Sequence, residues 1–165
     1  MPKTVLLLRH AKSSWNDPDL ADHDRPLNSR GKRDAPLIGQ LLCAEGLRPD
    51  VIISSTAKRA RKTAKAVAVG CRFDGEVQLT DDLYLAPAQI YLDFLRQLSA
   101  AVERALLIGH NPGIEYALRL LSGADQAMPT AALAQIELPV DDWSILEGTL
   151  PGRLVRLWRP RDLDA

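Results

Sequence analysis

Four consecutive apolar side chains, Val5-Leu6-Leu7-Leu8, lead directly into Arg9-His10. A short apolar run without polar alternation predicts a buried strand. Arg9 and His10 then stand at its C-terminal end, the edge of an open α/β sheet at which ligands sit. Ala105-Leu106-Leu107-Ile108-Gly109-His110-Asn111-Pro112 repeats the design: an apolar strand, a histidine, then a helix start. A lone histidine at a strand end is ordinarily a loop residue with a satisfied hydrogen bond. This chain has only three histidines, and two of them occupy equivalent strand ends. A third segment, Ser54-Ser55-Thr56-Ala57-Lys58-Arg59-Ala60-Arg61-Lys62-Thr63-Ala64, follows the apolar strand Val51-Ile52-Ile53. Coincidence is a poor account of three such strand ends, and Arg9 gives the shared edge the character of a phosphate site.

Strand and helix signals alternate along most of the chain, which predicts an α/β fold with a largely parallel sheet. After the strand at 4–8, a polar loop runs from Ser13 to Arg30. A helix is expected from about Gly31 to Glu45, with Ala35, Ile38, Leu41 and Leu42 on one apolar face and Gly46 as its stop. Pro36 should bend its first turns. The helix over 57–69 places Ala57, Ala60, Ala64 and Val67 on one side and Lys58, Arg61, Lys62 and Lys65 on another. Arg59 belongs to neither stripe. The basic stripe reads as a solvated face. Arg59 sits in the first helical turn, where backbone N–H groups already favour an anion.

A short strand at 77–79 precedes a helix from Pro87 to Leu98. The strand at 105–109 precedes a helix opened by Pro112 and closed by Gly123. Segments 132–138 and 154–158 read as final strands joined by a turn containing Pro and Gly. Two strands without an intervening helix imply an antiparallel edge. The expected architecture is therefore three-layer α/β/α, mostly parallel, within a single domain over 1–165.

Composition bounds the function. Formal net charge is zero, with 21 basic and 21 acidic residues. No global field favours nucleic acid or an anionic membrane. Four apolar residues before Arg9 are too few for a signal peptide or membrane helix. Cys43 and Cys71 lack metal-site or disulfide spacing. A cytoplasmic monomer is the expectation.

The candidate site residues are Arg9, His10, Arg59 and His110, with Arg25 in the loop Asp22-His23-Asp24-Arg25-Pro26-Leu27-Asn28. Arginine's planar fork matches phosphate oxygens and keeps its charge. A neutral imidazole can attack phosphorus and become phosphohistidine. A second, protonated histidine beside it would stabilise equatorial charge in the transition state. Arginines and a histidine around the phosphoryl group make a metal unnecessary, and no cofactor is expected.

Leu8-Arg9-His10-Ala11 resembles the hallmark of the histidine phosphatase superfamily, the phosphoglycerate-mutase-like fold. The segment 54–64 is similar to its Ser-Ser…Arg-Ala…Thr-Ala stretch, and Gly109-His110-Asn111-Pro112 to its second histidine motif. The resemblance spans residues 4 to about 138 in order. It implies His10 as nucleophile and Arg9, Arg59 and His110 as phosphate pocket. The short length and the stretch at 25–35 resemble SixA-type phosphohistidine phosphatases, in which an arginine at the position of Arg25 reaches the phosphate. An open site able to admit a protein side chain follows from the missing lid insertion. Family members that protonate an alcohol carry a Glu or Asp after the second helix. Here that stretch is Thr80-Asp81-Asp82-Leu83-Tyr84-Leu85-Ala86, with an apolar residue at the aligned position and Asp81 or Asp82 as substitutes.

The leading expectation is a metal-free phosphatase acting on a phosphorylated protein (phosphohistidine). Alternatives are a small phosphorylated molecule as substrate, a phospho-residue-binding module without turnover, and a metal-dependent hydrolase using Asp22, His23 and Asp24.

Overall fold

The computed structural model describes residues 2–147 and 152–163. Six strands, β1 (Lys3–Arg9), β2 (Val51–Ser55), β3 (Gln78–Thr80), β4 (Arg104–Gly109), β5 (Leu133–Leu138) and β6 (Arg153–Trp158), form one sheet in the order β3-β2-β4-β1-β5-β6. The first four strands of that order are mutually parallel, whereas β5 runs antiparallel to both β1 and β6. The mostly parallel sheet with an antiparallel edge is thus as expected.

Alternation within the apolar runs explains the layers. Val5 and Leu7 join Ala105, Leu107, Val51 and Ile53 in one core, packed against helices α3 (Ala88–Arg96) and α4 (Gly113–Ser122). Leu6 and Leu8 join Leu106, Ile108 and Ile52 in the other, packed against α1 (Ser29–Ala44) and α2 (Lys58–Gly70). Val5 through Leu8 are all fully buried. Truncating any one of these leucines to Ala would cost about 2–5 kcal/mol.

Helix ends differ from the expectations by one or two residues. The first helix starts at Ser29, because the Asn28 side chain accepts from Gly31 N at 2.9 Å and caps it earlier. It continues through Pro36, and Gly46 follows at φ +67, a conformation only glycine adopts freely. Pro87 and Pro112 are N-caps and not first helical residues. The α3 helix ends at Arg96, two residues before the expected Leu98. Between β5 and β6 the sequence reading placed only a turn. The chain there includes a short 3-10 turn, Trp143–Ile145, whose buried Trp143 donates from Nε1 to Val102 O at 2.8 Å. The rest of that connection, 148–151, lies outside the described residues. Among the described residues no helix is long and apolar enough to cross a membrane.

Candidate active site

Parallel strands end on the same edge, and that topology gathers the site. Arg9 is in register with Gly109 and Ser54 with Ile108, so β1, β4 and β2 deliver His10, His110 and Ser55 side by side. The ring centroids of His10 and His110 are 5.0 Å apart. Gly109 makes room for Tyr91 beside the second histidine: a Cβ there would lie 1.9 Å from Tyr91 Oη, which itself accepts from His110 N. Thr63 ties the strand to α2 by accepting from Ala11 N at 3.0 Å and donating to Arg59 O at 2.7 Å.

The tautomer of His10 follows from its partner. Nδ1 lies 2.8 Å from Ala11 O, and a carbonyl can only accept, so Nδ1 carries the proton. Nε2 is left with its lone pair. Burial, against the Ala11 contact and assisted by Arg59, Arg9 and Arg25, lowers the His10 pKa to about 4. The ring is therefore neutral at pH 7.

His110 is held by Ser55. Ser55 Oγ accepts from Ala57 N at 3.2 Å and lies 2.8 Å from His110 Nε2. A hydroxyl oxygen can donate to Nε2 or accept from it, and when it donates the imidazole proton stands on Nδ1. That nitrogen is buried with no partner, as is Arg9 Nε. Leaving a buried donor unpaired costs about 1–3 kcal/mol, and such donors are ready for an anion. Burial first, then His10 and Arg59, lower the His110 pKa to about 3, against Asp22, which raises it. The ring is neutral at pH 7; the protonated second histidine expected from sequence concerns the charge that builds on a phosphoryl group. With Ser55 donating, a neutral Nδ1–H is the donor on offer.

Arg59 is 4% exposed, whereas Arg61, Lys62 and Lys65 on the same helix are exposed. Its guanidinium turns inward onto Asp22. Arg25 is equally buried, donating to Asp22 Oδ1 at 2.9 Å, to Ser14 O at 3.1 Å and to Ser13 Oγ. Arg9 donates to Met128 O at 3.1 Å. Arg9, His10, Arg25, Arg59 and His110 all line one cleft of about 250 Å³. Larger grooves elsewhere, such as one of about 440 Å³ beside Pro26 and Lys62, contain none of them.

Asp22 has a use that sequence reading missed. Burial raises its pKa, but hydrogen bonds from Tyr84, Arg59 and Arg25 outweigh that and lower it to about 2. It was weighed as a metal ligand with His23 and Asp24. The structure instead spends it on two arginines, and His23 Nε2 on Thr56 Oγ1 at 2.9 Å. Among the described residues no three His, Cys, Asp or Glu side chains converge to hold a metal.

Asp81 and Asp82 are exposed and do not line the cleft. Asp81 accepts from Thr56, and the Asp82 N–H bonds to Thr80 Oγ1 at the start of a 3-10 turn. Leu85 stands at the cleft instead, at φ +52, a strained conformation for a non-glycine residue.

Residues 5–84 match the model of the histidine phosphatase superfamily (branch 1). An uncharacterised chloroplastic protein of Arabidopsis thaliana is 33% identical over 150 residues, covering 86% of this chain and 69% of its own length. A protein assigned to the SixA phosphohistidine phosphatases, from Agrobacterium tumefaciens, superposes with a TM-score of 0.82 at 33% identity, covering 97% of this chain and 99% of its own. The protein histidine phosphatase SixA complexed with tungstate gives 0.84 at 22% identity over 98% and 99%, a likeness of fold. Paired strand-end histidines, inward-turned arginines and these likenesses agree: the chain belongs to the histidine phosphatase superfamily and has the fold of its SixA members.

Proposed function

We propose that this protein is a metal-independent phosphatase that works through a phosphohistidine on His10, with phosphohistidine in proteins as its substrate class. One observation carries the reading: the Ala11 carbonyl holds the proton on His10 Nδ1 and leaves the Nε2 lone pair free, in a cleft that also contains three arginines. Nε2 attacks phosphorus, the bond to the leaving group breaks, and its electron pair departs with that group. Water then attacks phosphorus, the P–Nε2 bond breaks, and the pair returns to His10 as phosphate leaves. Arg9, Arg59 and the Nδ1–H of His110 bind the phosphoryl oxygens, with Arg25 assisting from the loop. Their charges and donors favour the oxygens most as negative charge builds in the transition state.

The substrate class follows from proton supply. Asp22 is the one carboxylate among the described residues lining the cleft, and a pKa of about 2 keeps it ionised. It is no proton donor at neutral pH. A serine alkoxide departs from phosphoserine only with a proton, its conjugate acid being close to water, with a pKa of about 15.7. A phosphohistidine protonated on its other nitrogen departs as neutral imidazole, with a conjugate-acid pKa of about 6.5. It needs no donor. The likeness to the Agrobacterium tumefaciens protein assigned to SixA, at 33% identity, supports the same class.

Rapid quench with a labelled phosphohistidine peptide tests both halves. Label should appear on His10 in an acid-labile, base-stable linkage, and His10→Ala should abolish turnover. Phosphohistidine and activated aryl phosphates should be cleaved at least about a hundredfold faster than phosphoserine, the scale of a missing general acid. Label on a serine, or activity in His10→Ala, would overturn the mechanism. Equal rates on phosphoserine would overturn the substrate class.

A further inference from the structure

We propose that a basic groove beside the cleft docks an acidic stretch of the protein substrate next to its phosphorylated residue. The inference rests on the reading of the substrate as a phosphorylated protein. The groove, about 490 Å³, is walled by Lys12, Trp15, Asn16, Asn28, Arg30 and Arg33 together with serines, and none of its lining residues is acidic. Lys12, Ser13 and Trp15 also line the catalytic cleft, so the two form one continuous channel. The chain as a whole balances 21 basic against 21 acidic residues, which makes three cations without a carboxylate a local asymmetry.

The cations are available. Lys12 and Arg33 are exposed and make no ion pair among the described residues. Arg30 is engaged only at 3.6 Å, with Asp34 one turn along α1. Asp17 and Asp19, close in sequence, do not line the groove. Trp15 is 74% exposed and rests on the Arg25 guanidinium, 3.2 Å from the ring centroid. A tryptophan fixed in place and still open to solvent is the kind of side chain that anchors a partner. Its seat on Arg25 ties the groove to the phosphate end of the channel.

An acidic polypeptide fits this channel better than nucleic acid. Its phosphorylated side chain enters the small cleft while neighbouring carboxylates meet Lys12, Arg30 and Arg33. Three cations on a chain of zero net charge give no extended track for a polynucleotide backbone.

Phosphohistidine peptides with Asp/Glu flanks and with Ser/Ala flanks separate the possibilities, alongside an aryl phosphate that has no flank. The acidic peptide should show a roughly tenfold higher kcat/KM, through KM, and the advantage should shrink with added salt. Arg33→Glu should erase the preference while leaving aryl phosphate turnover unchanged. Because Arg33 is exposed near the N-terminus of α1, a glutamate there does not threaten the helix. Persistence of the preference in Arg33→Glu, or an equal loss on aryl phosphate, would overturn the proposal. So would displacement of the acidic peptide by an oligonucleotide at lower concentration. Binding of the unphosphorylated acidic peptide, read as a fluorescence change lost in Trp15→Phe, isolates docking from turnover. If that binding holds while phosphopeptides are not hydrolysed, the substrate reading fails and the docking surface stands.

Discussion

Arg59 gives both of its terminal nitrogens to Asp22, one at 2.7 Å from the backbone carbonyl and one at 3.0 Å from the carboxylate. Arg25 donates to the other oxygen of the same carboxylate, and Tyr84 donates its hydroxyl to the oxygen that Arg59 holds. The cleft therefore contains an anion of its own. A phosphoryl group that enters must share the two guanidiniums with Asp22 or displace it.

Asp22→Asn should tighten binding of vanadate or tungstate by roughly threefold to tenfold, the scale of one nearby like charge removed at an intermediate dielectric. Isothermal titration of the oxyanion checks this. Weaker binding in the variant would show that Asp22 serves the arginines by aiming them, and that competition with the ligand is negligible.

Ser55→Ala tests the His110 tautomer. Loss of the hydroxyl removes the donor to Nε2, so the proton is no longer held on Nδ1. A fall in kcat of about tenfold to a hundredfold is expected with KM little changed, somewhat less than the loss of an entire oxyanion donor. Nitrogen-15 NMR of the imidazoles should show His110 moving from one tautomer to a mixture. An unchanged spectrum would mean that the surrounding packing, and not Ser55, sets the proton.

The two histidines make stability depend on pH. Their folded pKa values, about 4 for His10 and about 3 for His110, lie below the unfolded value near 6.5. Above pH 6.5 both states are neutral and the histidines leave stability flat. As pH falls from 6.5 towards 4, the unfolded chain takes up protons that the folded chain refuses. Stability should drop by up to about 1.4 kcal/mol per pH unit for each histidine. Asp22, lowered to about 2, adds its own loss only below about pH 3.9. Urea unfolding at pH 7, 6 and 5 reads the slope, and His110→Gln should remove about half of it. An identical slope in the variant would refute the assignment.

Much of the site was legible because it is written in local patterns. An apolar run that ends in Arg-His announces both a strand and the residues at its tip, and Arg59 stood apart because it fitted neither helical stripe. Asp22 was visible only as a polar loop residue. Its partners Arg59 and Tyr84 lie far along the chain, and no periodicity records where a loop folds back. Ser55 was part of a recognised motif, yet its task depends on which way one hydroxyl proton points. Where the sequence offered an apolar residue or Asp81 and Asp82 for the acid position, both aspartates are exposed and Leu85 lines the cleft. The charge state of His110 depends on burial and on the neighbouring arginines Arg59 and Arg9, neither of which the sequence spells out.

The placement of β1 has a consequence for the life of the chain. It lies between β4 and β5, strands made about a hundred or more positions later. Val5 to Leu8 gain no sheet neighbour until synthesis passes Gly109, and the other side of β1 stays unpaired until it passes Leu138. Until then they are a bare apolar ribbon of the kind that chaperones hold. His110 reaches His10 through the β1–β4 pairing, so hydrolysis by a partly made chain reports that this long-range pairing has closed.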